Sequence, residues 1–413
     1  MEGNIAWVLV STALVLFMTP GLAFFYGGMV RSKNFLAMLM QNFFAMGLLA
    51  VLWALVGYSL AFGNAGDGGV IGNLDYIGLK DVGLGDGKVL PPILFAAFQM
   101  TFAIITPALI TGATADRLKF AGFAVFIGIW MIVVYAPVAH WVFAGGWAAR
   151  MGALDFAGGA VVHINAGAAA LAVLLVIGPR RGYGREPMPP HALPWTLIGT
   201  GILWFGWFGF NAGSALAADG VAAQALMNTI LAPAAAMLGW LLVEQLKGHH
   251  VTTLGAASGA VAGMVAITPC AGFVATMPAI LIGFAAGALC YMALSLKKRF
   301  NLDDALDVLA VHLVGGLFGS IVLGLFAEKS INALVTEEGL LTGGGTALLL
   351  DQVVVSAATL AFSFVVSFAL AKAIQATIGL RVSEEQELEG LDYSLHGESS
   401  YHFGSTTGSL IDF

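Results

Sequence analysis

The chain has 413 residues, of which 59% are apolar, 10% are charged and 54 are glycine, with a formal net charge of −7. A mean hydropathy of +0.89 indicates more apolar surface than a soluble fold can bury. Soluble domains are also about 25% charged, well above the 10% of this chain. This composition excludes a soluble enzyme, a nucleic-acid-binding protein and a disordered chain. It predicts an all-α integral membrane protein.

Apolar stretches long enough to cross a bilayer recur along the chain, since about 20 helical residues span the hydrocarbon core. We predict a transmembrane domain over residues 1–380 and a tail over 381–413. The eleven predicted transmembrane helices cover residues 5–28, 36–62, 91–115, 121–147, 156–178, 194–216, 221–246, 252–268, 273–296, 305–327 and 346–379.

The distribution of basic residues predicts the orientation of these spans. If the N-terminus lies outside, the inner loops and the tail carry 13 of the 17 Lys and Arg residues, and the outer loops carry 4. Cytoplasmic segments of membrane proteins are enriched in Lys and Arg. The N-terminus is therefore predicted outside and the C-terminus in the cytoplasm.

Two similar segments lie five spans apart. In DFAGGAVVHINAG (155–167) an Asp precedes a Val-His pair, with His163 eight residues after Asp155. In DDALDVLAVHLVGG (303–316) His312 follows Asp304 by the same eight residues. Because five is odd, the second copy enters the membrane from the other side, as in the inverted repeats of transporters. We predict a five-plus-five inverted repeat over about 5–179 and 194–327, followed by a final long helix over 346–379.

The spacing places both histidines near the centre of the membrane. Eight residues of helix rise about 12 Å, and the hydrocarbon core is about 30 Å thick. A buried polar ring is costly unless it is paired, so His163 and His312 are expected to partner each other. A single such histidine is as often a helix-packing residue. A metal or haem centre is the alternative, but no further Cys, Glu or His is placed to complete a ligand shell, and we predict no metal and no cofactor.

Aromatic residues near the outer ends of two spans suggest a site for a cation. FQMTF (98–102) and WFGWFGFNAGS (204–214) would place Phe102, Trp207 and Phe210 around an outer vestibule, with the hydroxyl of Ser214 beside them. Each aromatic face attracts a cation by about 0.5–2 kcal/mol, and a hydroxyl accepts a hydrogen bond from a cation that carries N–H groups. An interfacial aromatic belt is the alternative explanation.

These motifs, together with ITP (267–269) and the tail GLRVSEEQELEGLDYSLHGESSY (379–401), resemble the ammonium transporter (Amt/Mep/Rh) family, and most closely its bacterial Amt branch. The resemblance runs from the first span to the tail. It implies a transporter or channel, not an enzyme. Such a protein recruits ammonium, deprotonates it and conducts ammonia to the cytoplasm with net movement of charge.

The resemblance also implies roles for individual residues. Ammonium would be recruited by aromatic rings and a hydroxyl, here Phe102, Phe143, Trp207 and Ser214. Most bacterial members have Trp where this chain has Phe143, which keeps a π face but lacks the indole donor. The remaining matches are Phe102 and Phe210 as the stacked gate, His163 and His312 as the lumen pair and proton relay, Phe25 and Tyr26 at the inner pore end, and Asp155 as a structural support of the vestibule.

The resemblance implies a homotrimer in the bacterial plasma (inner) membrane, with a cytoplasmic tail that packs on neighbouring subunits. It also implies reversible block by a PII signalling protein at the cytoplasmic face. Three alternatives stay open at this point. The fold could serve an ammonium sensor, although the tail 381–413 is short for an output domain. A neutral gas channel of the Rh type and a haem or metal membrane enzyme are the other two.

Overall fold

The computed structural model describes residues 2–66, 68–85 and 90–401, and these ranges contain helices and no β-strand. Each predicted span coincides with one helix, which confirms the all-α membrane fold. The helices are α1 (Glu2–Met29), α2 (Ser32–Phe62), α3 (Pro92–Thr114), α4 (120–143), α5 (Gly159–Ile177), α6 (Leu193–Ala212), α7 (Gly220–Leu246), α8 (Thr253–Ile267), α9 (Thr276–Arg299), α10 (Leu309–Phe326) and α11 (Ala347–Thr377).

Nine of these helices in the described ranges are long and apolar enough to cross a membrane by length and composition. The other two are α6 and α8. Helix α6 has 20 residues, but its Trp, Gly and Thr residues lower its mean hydropathy. Helix α8 has 15 residues, and a series of tight turns continues its path from Thr268 to Ala275.

The loops between helices gather at two faces. At the basic face, Arg117 Nη2 donates to the carbonyl oxygen of Asp303 at 2.6 Å, and Lys119 N donates to Leu380 O at 2.7 Å. The basic face comprises residues 30–34, 115–119, 178–192, 247–252, 300–308 and 378–401. At the opposite face, Phe156 N donates to Pro269 O at 3.1 Å. Distant loops of the two predicted repeats therefore meet at both ends of the helix bundle.

Glycines allow the first helices of the two repeats to pack backbone to backbone. Helix α1 runs along α6, and a Cβ atom added at Gly199 would lie 2.2 Å from the backbone nitrogen of Phe25. A Cβ atom at Gly21 would lie 2.7 Å from the side chain of Ile202. Small residues are enriched at such interfaces because helices in lipid associate through close van der Waals packing.

Helices α5 and α10 both begin with a π-helical segment, Gly159–Ile164 and Leu309–Val314. Shorter π-helical stretches also occur within α2 and α4, at Trp53–Gly57 and Met131–Tyr135. Wide turns of this kind inside α-helices are frequent at functional sites. The segments in α5 and α10 contain the two histidines that the sequence singled out.

A buried ionic network joins the two halves at the basic face. Arg180 contacts Asp303 at 2.8 Å and Asp116 at 3.3 Å, and Arg31 contacts Asp116 at 2.9 Å. Burial alone would raise the pKa of Asp303, but hydrogen bonds from Arg180 and the charge of Arg117 lower it below its usual value. The carboxylate is therefore ionised at neutral pH, and it holds the loops of both repeats together.

The described part of the tail packs on the basic face. It forms two short helices, α12 (Glu384–Glu389) and α13 (Leu391–His396). Leu391 N donates to Asn34 Oδ1, and Ala37 N donates to Asp392 Oδ1, both at 2.8 Å. The remainder of the predicted tail, residues 402–413, lies outside the described residues.

The close approach of α1 and α6 makes a testable prediction. Gly199→Ala should lower the thermal unfolding temperature in detergent, because its methyl group would overlap the Phe25 backbone and overpacking costs about 1–3 kcal/mol. Gly201→Ala on the same helix is the matched control, since a Cβ atom there meets nothing within 4 Å. Equal unfolding temperatures for the two variants would contradict the proposed packing constraint.

Candidate functional site

The two histidines meet in the centre of the helix bundle. His163 and His312 are 1% and 2% exposed, and their Nδ1 atoms lie 3.2 Å apart. The ring centroids are 5.3 Å apart with an interplanar angle of 26°. A hydrogen bond between two Nδ1 atoms requires a proton on one ring and a lone pair on the other. Two neutral imidazoles of opposite tautomer therefore satisfy this contact.

The histidine pair faces a narrow passage that is otherwise apolar. The passage has a volume of about 10 Å³, roughly the space of one water molecule. The Nε2 atom of His163 has no hydrogen-bond partner among the described residues. The lining residues besides the two histidines are Met18, Leu22, Ile105, Leu109, Val162, Leu203, Trp207, Phe210 and Val261.

Two phenylalanine rings in contact separate this passage from a larger cavity. The ring centroids of Phe102 and Phe210 are 4.4 Å apart, and both side chains are 1% exposed. Phe210 lines the narrow passage, whereas Phe102 lines the larger cavity. The pair therefore forms a layer of aromatic carbon between the two spaces.

The larger cavity, which we call the vestibule, opens at the face opposite the basic residues. Its volume is about 370 Å³. Phe143 and Ser214 line it, and the Ser214 hydroxyl donates to Phe210 O at 2.7 Å. The vestibule is lined by Phe95, Gln99, Phe102, Val142, Phe143, Asp155, Phe156, Ser214, Ala215, Leu216, Asp219, Val221, Phe273, Asn332 and Leu334.

The position of Trp207 corrects one prediction. Trp207 was expected beside Phe143 and Ser214, but it is 2% exposed and lines the narrow passage, not the vestibule. Its ring stacks on His163 with centroids 5.7 Å apart and an interplanar angle of 18°. Seven residues of helix separate Trp207 from Ser214, which is about 10 Å of rise. Trp207 therefore lies too deep for the outer group of residues.

Thr268 holds the indole of Trp207 in place. Trp207 Nε1 donates to Thr268 Oγ1 at 2.9 Å, and the Thr268 hydroxyl donates to Met264 O at 2.7 Å. Thr268 is fully buried. It belongs to the ITP motif that contributed to the family resemblance, but nothing in the sequence indicates its contact with Trp207.

Asp155 stabilises the backbone at the start of α5. Its carboxylate accepts hydrogen bonds from the four backbone N–H groups of residues 158–161, at 2.6–3.3 Å. At the other face, Asp304 accepts bonds from Val308 N and Leu309 N at 3.1 and 2.7 Å. Each carboxylate thus satisfies free N–H groups at the start of a histidine-bearing helix, where negative charge is favoured.

Phe25 and Tyr26 lie nearer the basic face than the narrow passage. The Tyr26 hydroxyl donates to Leu109 O at 3.2 Å, and its ring packs against Gly112, where an added Cβ atom would lie 2.5 Å from the ring. Leu22, one turn earlier in α1, lines the passage itself. Within the described residues, no group of three or more His, Cys, Asp or Glu side chains is close enough to hold a metal ion.

The fold and the site together define a class of protein. The described helices enclose an apolar passage, with a vestibule on one side and a histidine pair inside it. This arrangement is expected of a membrane channel or transporter for a small solute. The family model described as Ammonium Transporter Family matches residues 6–401. The chain therefore belongs to the ammonium transporter family.

Relatives from several organisms cover nearly the whole chain. An ammonium transporter of Mycobacterium tuberculosis is 49% identical over 440 residues, covering 99% of this chain and 92% of the relative. One of Bacillus subtilis is 47% identical over 405 residues, covering 97% and 98%. Among solved structures, Saccharomyces cerevisiae Mep2 matches with a TM-score of 0.87 at 36% identity, covering 93% of this chain and 88% of that one. A protein described as a sensor Amt protein matches with a TM-score of 0.88 at 28% identity, covering 96% and 98%.

The Thr268 contact makes a prediction about stability. Thr268→Val removes the acceptor of the buried Trp207 indole, and an unsatisfied buried donor costs about 1–3 kcal/mol. We expect a lower thermal unfolding temperature for this variant, measured by tryptophan fluorescence in detergent. Thr268→Ser is the matched control, because it keeps the hydroxyl. If Thr268→Val unfolds at the same temperature as Thr268→Ser, the hydrogen bond contributes nothing to stability.

Proposed function

We propose that the protein recruits ammonium in the vestibule, removes its proton, and conducts ammonia past the histidine pair to the basic face. The observation that carries the proposal is the pair of hydrogen-bonded imidazoles in a passage whose other lining residues are apolar or aromatic. In this proposal Phe102, Phe143 and Ser214 form the recruitment site. Trp207 acts deeper, against His163.

The dimensions of the passage argue for a neutral permeating species. A space of about 10 Å³ behind two contacting phenylalanine rings leaves no room for a hydration shell. Transfer of a small ion into low dielectric costs on the order of 20 kcal/mol in an idealised Born calculation, and less after relaxation. Ammonia carries no charge and avoids most of this cost. Potassium cannot lose a proton, so the same barrier selects against it.

The tautomers of the pair suggest how protons cross. If one ring holds the shared proton on Nδ1, its Nε2 atom is a free acceptor, and the partner ring carries its own proton on Nε2. The free Nε2 can accept a proton from ammonium, the shared proton can shift to the partner's Nδ1, and the partner can release its Nε2 proton. One proton enters and one leaves, so both rings end neutral. We propose that this relay makes transport electrogenic.

The distribution of basic residues supports an orientation for this route. Nine of the 17 Lys and Arg residues lie in the basic face, and four more lie near the adjoining ends of α9 and α11. We therefore propose that this face is cytoplasmic and that the vestibule is outside. The location proposed is the bacterial plasma (inner) membrane. Bacterial relatives of 47–49% identity support it.

Partners are proposed on the strength of the family. We propose a homotrimer, and contact of the basic face with a PII signalling protein. The tail helices α12 and α13 pack on that face and are available for such contacts. A sensing role is the second candidate, because a protein described as a sensor Amt protein shares the fold with a TM-score of 0.88.

The histidine relay is tested by the double variant His163→Ala, His312→Ala. Purified protein in proteoliposomes on a solid-supported membrane should give a saturable current after an ammonium jump and none after a potassium jump. We expect the double variant to retain about a hundredth of that current or less, because positioned proton transfer typically contributes 10²–10⁴-fold. The matched control is His249→Ala, His250→Ala, whose exposed side chains lie in a basic-face loop.

The outcomes separate three functions. Full saturable current in a folded His163→Ala, His312→Ala variant would contradict the relay. Absence of current in the unmodified protein, together with a pH shift inside the vesicles, would identify a neutral ammonia channel. Absence of both signals would favour the sensor.

The recruitment site is tested by Phe143→Trp. An indole is the best aromatic partner for a cation, and the difference from phenylalanine should lower the KM for ammonium about two- to fivefold. Phe143→Leu is the companion variant, since it removes the π face and should raise the KM. Both values come from the concentration dependence of the ammonium current. A KM unchanged in both variants would place recruitment elsewhere than at Phe143.

A further inference from the structure

The polar lining of the vestibule is biased towards negative charge. Among the described lining residues, two are carboxylates, three are neutral polar residues and none is basic. The neutral ones are Gln99, Ser214 and Asn332, and the carboxylates are Asp155 and Asp219. A cavity with one sign of charge and apolar walls concentrates ions of the other sign.

The two carboxylates differ in what they contact. Both oxygens of Asp155 accept backbone hydrogen bonds, four in all. Asp219 Oδ1 accepts one bond, from Ala222 N at 3.0 Å, whereas its Oδ2 accepts none within the described ranges. No ion pair involving Asp219 occurs among the described residues. Asp219 is therefore the vestibule carboxylate that has an oxygen without a hydrogen bond from the described residues.

The backbone fixes Asp219 relative to the recruitment site. Ser214 lies in a single 3₁₀ turn, Gly213–Ala215, and Leu216 follows in the left-handed region with φ of 56°. Ala218 N donates to Asn4 Oδ1 at 3.0 Å, which ties the loop to the start of α1. Asp219 then caps the first turn of α7. The segment from Ser214 to Asp219 is therefore fixed by the 3₁₀ turn at its start and by the helix cap at its end.

We propose that Asp219 is an electrostatic positioning residue that raises the concentration of ammonium beside Phe102, Phe143 and Ser214. This inference rests on the proposed function, because it adds a charged residue to the recruitment site proposed there. A unit charge about 7 Å away in water changes the occupancy by a cation about threefold. The effect should be large at low ionic strength and small at physiological ionic strength, because the Debye length falls from about 30 Å at 0.01 M to about 8 Å at 0.15 M.

The test removes the charge while keeping the helix cap. Asp219→Asn and Asp219→Ser both retain a good N-cap, because Asn, Ser and Asp are nearly equivalent there. The KM for ammonium is measured in proteoliposomes, by current or by an internal pH dye, at ionic strengths of about 0.01 M and 0.15 M set with sodium chloride. We expect the KM of both variants to rise about threefold at the lower ionic strength. It should approach that of the unmodified protein at the higher one, with an unchanged maximal rate at both.

The matched control is Asp81→Asn. Asp81 is exposed and lies in the loop between α2 and α3 at the vestibule face, but it does not line the vestibule. Its φ of 61° is one that Asn adopts readily, so this variant makes the same chemical change without strain. Its KM should match that of the unmodified protein at both ionic strengths.

Each outcome decides the question. If the unmodified protein transports ammonium and Asp219→Asn leaves the KM unchanged at low ionic strength, Asp219 does not act as proposed. An equal rise in Asp81→Asn would assign the effect to the overall surface charge and also overturn the proposal. A rise in KM that is independent of salt would indicate a structural defect instead. If the unmodified protein moves neither charge nor ammonia, the proposed function itself fails.

Discussion

A polar ring in the middle of a bilayer must find a polar partner, and much of this structure serves to bring one histidine to another. The Nδ1 atoms of His163 and His312 can lie 3.2 Å apart only if their helices reach the same depth from opposite faces. His163 and His312 follow Asp155 and Asp304 by the same eight residues, and a helix begins between the members of each pair, at Gly159 and at Leu309. The two carboxylates stabilise the helix starts by accepting backbone N–H bonds. Two segments with the same Asp-to-His spacing thus satisfy each other's hydrogen-bonding requirement.

The spans and the meeting of the histidines could be predicted from the sequence, because each depends on a regular quantity. Hydropathy reports burial in lipid, and helical rise converts sequence distance into depth. The position of Trp207 could not be predicted in this way. Its depth relative to Ser214 follows from rise, but which cavity its ring faces depends on Thr268, which is 61 residues away. Side-chain direction is set by such long-range contacts and leaves no periodic signal.

The π-helical starts of α5 and α10 were also beyond sequence reasoning. A wider turn has no composition of its own, and it forms here where Gly159 packs against Pro269 and Ser320 of neighbouring segments. It alters the angular position of the residues that follow. A strictly α-helical projection would therefore misplace His163 around the helix axis. The vestibule carboxylate Asp219 was missed for a different reason, since it lies in a loop outside the periodic segments.

The bond between two like atoms has one more consequence. Because the two facing atoms are both Nδ1, the shared proton can be carried by His163 or by His312. The two arrangements differ in which ring is the hydrogen-bond donor. In the proposed relay, the passage of one proton exchanges the tautomers of the two rings. A second proton in the same direction must wait until the pair has been restored. Trp207 and Phe210 stack on His163 with centroids within 6.2 Å, which hinders any rotation of that ring. If the proposed relay operates, the time that the two rings need to return to their first tautomers sets an upper limit on how fast successive protons can follow.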